Sequence, residues 1–141
     1  MRTATRVSLA IAVLFTFALV SRAADTAKDL EATPQGKAYR AQIKAIQTGD
    51  YEAYKKSMVA AAGKDMDKQL KDMNKTGKEA MEMMKAMLPS DLKLTDLKVD
   101  GKKATLMATG KMDKEVNKGT IQLEEENGQW KVGKQSWTNA K

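Results

Sequence analysis

The chain has 141 residues, with 25 Lys and Arg against 18 Asp and Glu, for a formal net charge of +7. That is one domain's worth of sequence. It contains no Cys and no His, which excludes a disulfide scaffold, a Cys or His zinc site, a cysteine nucleophile and histidine as a general base.

Residues 1–23 have the three parts of a secretory signal: a positive start with Arg2 and Arg6, an apolar run over residues 9–20, and small residues around Arg22 that place a cut after Ala23. The alternative is a single-span anchor, but the run is shorter than the about 20 apolar residues a span requires. No second apolar run follows, and no Cys is present for lipid attachment. The expectation is a periplasmic or secreted protein with no stable membrane span after cleavage. Arg2, Arg6 and Arg22 leave with the signal, so residues 24–141 carry 22 basic and 18 acidic groups, or +4. Phe15 and Phe17 leave too, and the remaining aromatics are Tyr39, Tyr51, Tyr54, Trp130 and Trp137. Each buried large side chain contributes roughly 1.5–3 kcal/mol. A core this lean is modestly stable alone and would gain area as a homodimer.

Residues 24–33 are polar and aperiodic and read as a flexible lead-in. Thr33-Pro34 starts a helix, Thr as the cap and Pro in the first turn. Tyr39, Ile43 and Ile46 then share one face, and Thr48-Gly49 ends the helix. Asp50 caps a second helix with Tyr51, Tyr54 and Met58 on its apolar face, which Gly63 ends. Residues 64–88 read as one long helix, bent near Gly77. Met66, Leu70, Met73, Gly77, Ala80, Met81, Met84, Met87 and Leu88 fall within an arc of about 120°. Thr76 and Glu79 have capping-box spacing. Pro89-Ser90 stops the helix.

From Leu92 the period changes to two. Leu92 and Leu94, then Leu97 and Val99, alternate with a slip near Thr95-Asp96 that signals a bulge. Asp100-Gly101 and Asn127-Gly128 are hairpin signals. Ala104, Leu106 and Ala108 alternate, residues 111–118 read as a polar connection, and Ile121, Leu123, Trp130, Val132 and Trp137 complete the apolar set. The class is α+β: N-terminal helices packed in a curved antiparallel sheet of about four strands, with residues 34–141 as one domain.

The motif Gly49-Asp50-Tyr51-Glu52-Ala53 between helices, with Asn127-Gly128-Gln129-Trp130-Lys131-Val132 at the end of the strands, resembles the nuclear transport factor 2-like superfamily (cystatin-like fold). It is most similar to small exported bacterial domains of unknown function with lumazine-binding-like names. The resemblance spans about residues 35–137. It implies a cone, with a bent sheet around helices and an apolar pocket at the open end. Relatives include isomerases, dehydratases and proteins that only bind, so the resemblance implies a pocket without naming its occupant.

Against that background no catalytic constellation is visible. An isomerase or dehydratase would need a pocket Tyr (Tyr39, Tyr51 or Tyr54) and a buried carboxylate. Asp50 reads as a cap, while Asp91, Asp96, Asp100 and Asp113 sit at turns or strand ends, where Asp is ordinary. Met81, Met83, Met84 and Met87 are weak candidates for Cu(I), since three of them lie on the core face. The lysines are interleaved with acids and read as a solvated surface, not a nucleic-acid site. The favoured reading is a non-enzymatic binding or accessory domain without a cofactor. Its pocket would be lined by some of Tyr39, Tyr54, Leu106, Ile121, Trp130 and Trp137, for a small apolar ligand or an envelope protein's side chain. Trp130 reads as core, whereas Trp137 either lines the pocket mouth or seals it.

Overall fold

The computed structural model describes residues 27–141; the predicted signal and its cut after Ala23 lie outside the described residues. Five helices precede a four-stranded antiparallel sheet, the α+β arrangement expected. The helices are α1 (Ala27–Ala32), α2 (Pro34–Thr48), α3 (Tyr51–Ser57), α4 (Ala60–Asp72) and α5 (Gly77–Ala86). The strands are β1 (Ser90–Asp100), β2 (Lys103–Met112), β3 (Glu115–Glu126) and β4 (Gln129–Asn139), paired in chain order as a meander.

The helix starts follow from their caps. Thr33 Oγ1 accepts the Gly36 N–H at 3.0 Å and donates to the Leu30 carbonyl at 2.7 Å. Asp50 accepts the Ala53 N–H at 2.9 Å. Each satisfies a backbone donor that the first helical turn leaves without a partner.

The structure differs from the sequence expectation in four places. First, part of the expected lead-in is α1. Leu30 is only 3 % exposed in the core, and Glu31 pairs with the Arg40 guanidinium, which also donates to the Leu92 carbonyl at 3.0 Å. One apolar anchor and one forked cation thus tie this short helix to α2 and β1. Second, the helix that begins at Tyr51 ends at Ser57, before Gly63. The Val59 N–H donates to the Val132 carbonyl at 2.9 Å, and Met58 bridges Val132. The chain gives up helical hydrogen bonds there to cover the outer edge of β4. Gly63 lies inside α4.

Third, residues 64–88 form two helices. Asn74 is left-handed (φ 53°), and the Thr76–Glu79 capping box is complete, so α5 begins afresh. The apolar phase survives the break because both helices bury the same side: Leu70 from α4, Ala80 and Met81 from α5. Fourth, residues 111–118 are not a loose connection. Lys111 pairs with Val116 and Met112 with Glu115. Asp113 and Lys114 both take positive φ (46° and 71°), the twist of a two-residue hairpin turn. The sheet therefore contains three hairpins where two were expected.

The bulge expected near Thr95-Asp96 is present between Leu94 and Asp96. A second interrupts the β3–β4 pairing: Gln122 pairs with Lys134 and Leu123 with Val132, which leaves Gly133 unpaired. The main core packs Leu30, Tyr39 and Ile43 against the inward face of the sheet, centred on Leu94, Leu106, Ile121 and Leu123. A second cluster joins Ala45, Ile46, Tyr54 and Met81 between helices.

Candidate functional site

The pocket lies where α2, the end of α5 and the end of the sheet meet. Its volume is about 630 Å³, within the range of about 300–1,000 Å³ typical of small-molecule sites. Tyr39, Ile43 and Ile46 line it from α2, and Met84, Ala86, Met87 and Leu88 from the end of α5 and the residues that follow. Pro89 and Ser90 close one side. Lys111, Met112 and Asp113 come from the β2–β3 hairpin, and Gln135 and Trp137 from β4.

Each wall has a local cause. On α2 the spacing of four and three residues sets Tyr39, Ile43 and Ile46 in one row. On β4 the unpaired Gly133 reverses the alternation: Val132 faces the core, yet Gln135 pairs with the inward Ile121 and Trp137 with the inward Gly119. Gly119 gives Trp137 its seat, because a Cβ there would stand 2.7 Å from the indole Cζ2.

Polar groups in the pocket are few. Tyr39 is 0 % exposed, and among the described residues its hydroxyl has no hydrogen-bond partner. Burial pushes this phenol up to about 12, against the opposing pull of the Arg40 charge, so it stays a neutral donor. Lys111 stands exposed and pairs with Asp91 at 2.9 Å, which holds the Asp91 carboxyl below its ordinary range. Asp113 is the one carboxylate on the lining, exposed in its turn.

Of the six residues expected to line a pocket, Tyr39 and Trp137 do so. Leu106 and Ile121 are fully buried beneath the sheet face, and Tyr54 belongs to the interhelical cluster. Trp130 packs half-buried against the main core. Tyr51, the remaining candidate donor, gives its hydroxyl to Asp67 at 2.7 Å. Asp50 is a cap, and the Asp96 carboxylate accepts the Leu97 N–H.

The four methionines named for copper are divided between the core, the pocket and the surface. Met81 is in the interhelical core, Met84 and Met87 line the pocket, and Met83 is exposed, its sulfur accepting from Lys75 Nζ at 3.4 Å. Met112 and Gln135 were missed. The first follows from the tight β2–β3 turn and the second from the Gly133 bulge, both weak signals in sequence.

Comparison adds one match. The model of a family described as PLAT/LH2 and C2-like Ca2+-binding lipoprotein matches residues 4–131. This is a different family from the nuclear transport factor 2-like one. Among curated proteins no relative matches the chain. The family description names Ca2+, which takes about six to eight oxygen ligands, several of them carboxylates. The donor set here does not fit. Among the described residues no three Asp or Glu come together. Glu31, Asp67 and Asp91 are paired with cations, while Glu79 and Glu126 hold backbone N–H groups at helix starts. The sequence has no Cys to carry a lipid. No described helix is long and apolar enough to cross a membrane.

Proposed function

The chain belongs to the family of PLAT/LH2 and C2-like Ca2+-binding lipoproteins, and within it we propose a non-enzymatic binding or accessory domain, periplasmic or secreted once residues 1–23 are removed. Its working part is the pocket at the open end of the sheet, which takes a small apolar ligand or an apolar side chain of an envelope protein. The cone description belongs to the same reading: the meander curves over α2, and the pocket sits at the wide end. Gly49-Asp50-Tyr51-Glu52-Ala53 and Asn127-Gly128-Gln129-Trp130 carry its nuclear transport factor 2-like element; Asp50 caps α3, and Asn127-Gly128 turns the last hairpin.

One observation carries the proposal: a space of about 630 Å³ walled by Ile43, Ile46, Met84, Met87, Leu88 and Trp137. A recess of that size with mostly apolar walls suits the apolar part of a small guest. Flexible thioethers such as Met84 and Met87 reshape around varied guests. Tyr39 and Asp113 share the lining, the pair of residue types an isomerase or dehydratase would use. Asp113 is solvated in a turn, whereas a proton-abstracting carboxylate works from a desolvated position, so binding is favoured over turnover.

The test is native mass spectrometry of the protein purified from its own envelope. A discrete small-molecule or protein adduct, released on denaturation and reduced by Ile43→Trp, is the expected result. Unadorned protein that also leaves decane and methyl octyl ketone unbound in fluorescence titrations overturns the proposal.

A further inference from the structure

Along the sequence the lysines alternate with acids, but strand pairing sorts them. Residues opposite one another across a sheet share a face. The inward face carries Leu94, Leu106, Ile121 and Leu123 under the helices, so the residues between them point outward. Three successive outward rows cross all four strands. The first is Lys93, Thr109, Lys118 and Thr138; the second is Asp96, Met107, Thr120 and Ser136; the third is Lys98, Thr105, Gln122 and Lys134. These rows hold four lysines and one acid, against 25 basic and 18 acidic residues in the whole chain. The four lysines are exposed, and among the described residues none of them makes an ion pair. Asp91, whose carboxyl feels Lys93, is already held by Lys111 at 2.9 Å. The Asp96 carboxylate accepts the Leu97 N–H at 2.9 Å. In the next row Asp100, Lys103, Glu124 and Lys131 alternate in sign and end the basic field.

We propose that this outward face docks an acidic polysaccharide, whose charged groups meet Lys93, Lys98, Lys118 and Lys134 and whose hydroxyls meet the Thr and Ser side chains between them. Strands lie about 4.8 Å apart, which sets the backbone of Lys93 about 10 Å from that of Lys118 and Lys98 about 14 Å from Lys134. These separations are close to the screening length of about 8–10 Å, so the charges act together on one polyanion. Lysine meets an acidic group as a point charge, without the paired geometry that Arg imposes. Thr105, Thr109, Thr120, Gln122, Ser136 and Thr138 each offer a donor and an acceptor to a sugar hydroxyl. At the centre the Thr120 hydroxyl donates to the Met107 sulfur at 3.6 Å. The three rows contain no Arg and no aromatic residue, unlike a nucleic-acid site, and no apolar cluster of the kind a protein partner buries. Adjacent strands rotate by about 20–25°, so β1 and β4 diverge by roughly 60–75°. The four lysines therefore do not meet one plane, as a lipid surface requires, whereas a flexible chain follows the twist. The face lies on the other side of the sheet from the core and stands independently of what fills the pocket.

The test is fluorescence anisotropy with a labelled oligogalacturonate of about ten sugars, titrated at about 50 and about 200 mM NaCl. Binding should weaken steeply with salt, and neutral dextran should not compete. Replacing Lys93, Lys98, Lys118 and Lys134 together by Gln should weaken binding at the lower salt by about tenfold or more and flatten its salt dependence. The control replaces Lys44, Lys68, Lys71 and Lys78 by Gln. These four are exposed on the helices and carry the same charge, so this variant should bind within about twofold of the parent. Circular dichroism shows that both variants keep the fold. Equal weakening in the two variants overturns the proposal, because binding then follows net charge and not this face. Tighter binding to phosphatidylglycerol vesicles or to duplex DNA than to the oligogalacturonate, lost in the sheet variant, overturns it in favour of that partner. An oligogalacturonate that does not bind at either salt overturns it outright.

Discussion

The indole of Trp137 lies on the backbone of Gly119, its pairing partner across β3 and β4, so closely that a Cβ on Gly119 would stand 2.7 Å from Cζ2. The contact decides where the indole goes. Without a side chain at position 119, the ring lies flat on the strand and forms the β4 wall of the pocket. Gly119→Ala forces the ring off that seat, because an aromatic tip yields more readily than a strand. The expected outcome is an intact sheet by circular dichroism, a loss of about 1–3 kcal/mol from the lost packing, and Trp137 more open to acrylamide quenching. Unchanged quenching would mean that the indole does not rest there.

The phenol of Tyr39 makes a separate prediction through pH. Its pKa is about 12 in the folded protein against an ordinary 10, so the unfolded chain releases this proton first. Stability from this group is complete below pH 10 and is lost as pH rises from about 10 through about 12, by about 2–3 kcal/mol in all. Tyr39→Phe removes that loss. It also removes a buried hydroxyl without a described partner, and so should raise stability at neutral pH by about 1 kcal/mol. Urea unfolding of both proteins at pH 7 and at pH 11 checks both signs. A variant that is less stable at pH 7 would show that the hydroxyl has a partner in solution.

Much of this arrangement was legible in the sequence, and its gaps have physical causes. The row Tyr39, Ile43, Ile46, the caps Thr33 and Asp50, and the Asn127-Gly128 turn are local signals, and local signals survive folding. The break between α4 and α5 showed itself in the Thr76–Glu79 spacing but was outweighed by the continuous apolar phase. A phase can be kept by two helices that pack on the same neighbours. The end of α3 at Ser57 was not legible, because it depends on a hydrogen bond from Val59 to Val132, distant in sequence. Beside the pocket, periodicity made Tyr39, Ile43 and Ile46 legible as one apolar face. Leu106 and Ile121 were misplaced because period-two alternation reports which face is buried, not whether a residue lies under the core or beside a space.

Trp137 shows the same limit more sharply. Trp130 and Val132 have even numbers and face inward, so strict alternation would turn Trp137 outward; Gly133 reverses it by standing unpaired in the β3–β4 ladder. Deleting Gly133 should remove the bulge without changing the faces: Lys134 then follows Val132 directly, and Gln135 and Trp137 keep their places opposite Ile121 and Gly119. The measurement is tryptophan emission in the Trp130→Phe background. Emission from a half-buried Trp137 and decane binding like those of the parent protein are expected. A red shift with loss of decane binding would mean that the strand has slipped by one residue and turned Trp137 to solvent.

The family description raises a last question that the carboxylates answer. A Ca2+ site assembles several carboxylate and carbonyl oxygens around one point. Among the described residues no three acids come together, and several are held by other partners. Asp67 accepts from both Lys55 and Tyr51, and both interactions hold its carboxyl below the ordinary range. Glu79 is held low by the Thr76 backbone and hydroxyl, and Glu126 receives the Ala60 N–H at 3.1 Å. Recruiting them to an ion would undo the start of α4, the start of α5 and the link between α3 and α4. The protein should therefore show the same melting temperature in millimolar CaCl2 as in EGTA, because a ligand that does not bind the native state adds no stability. Calorimetric titration should show no saturable heat. A melting temperature that climbs with Ca2+ and levels off would reveal a site that these carboxylates do not form as they stand, and would place this chain among the Ca2+ binders that its family is described by.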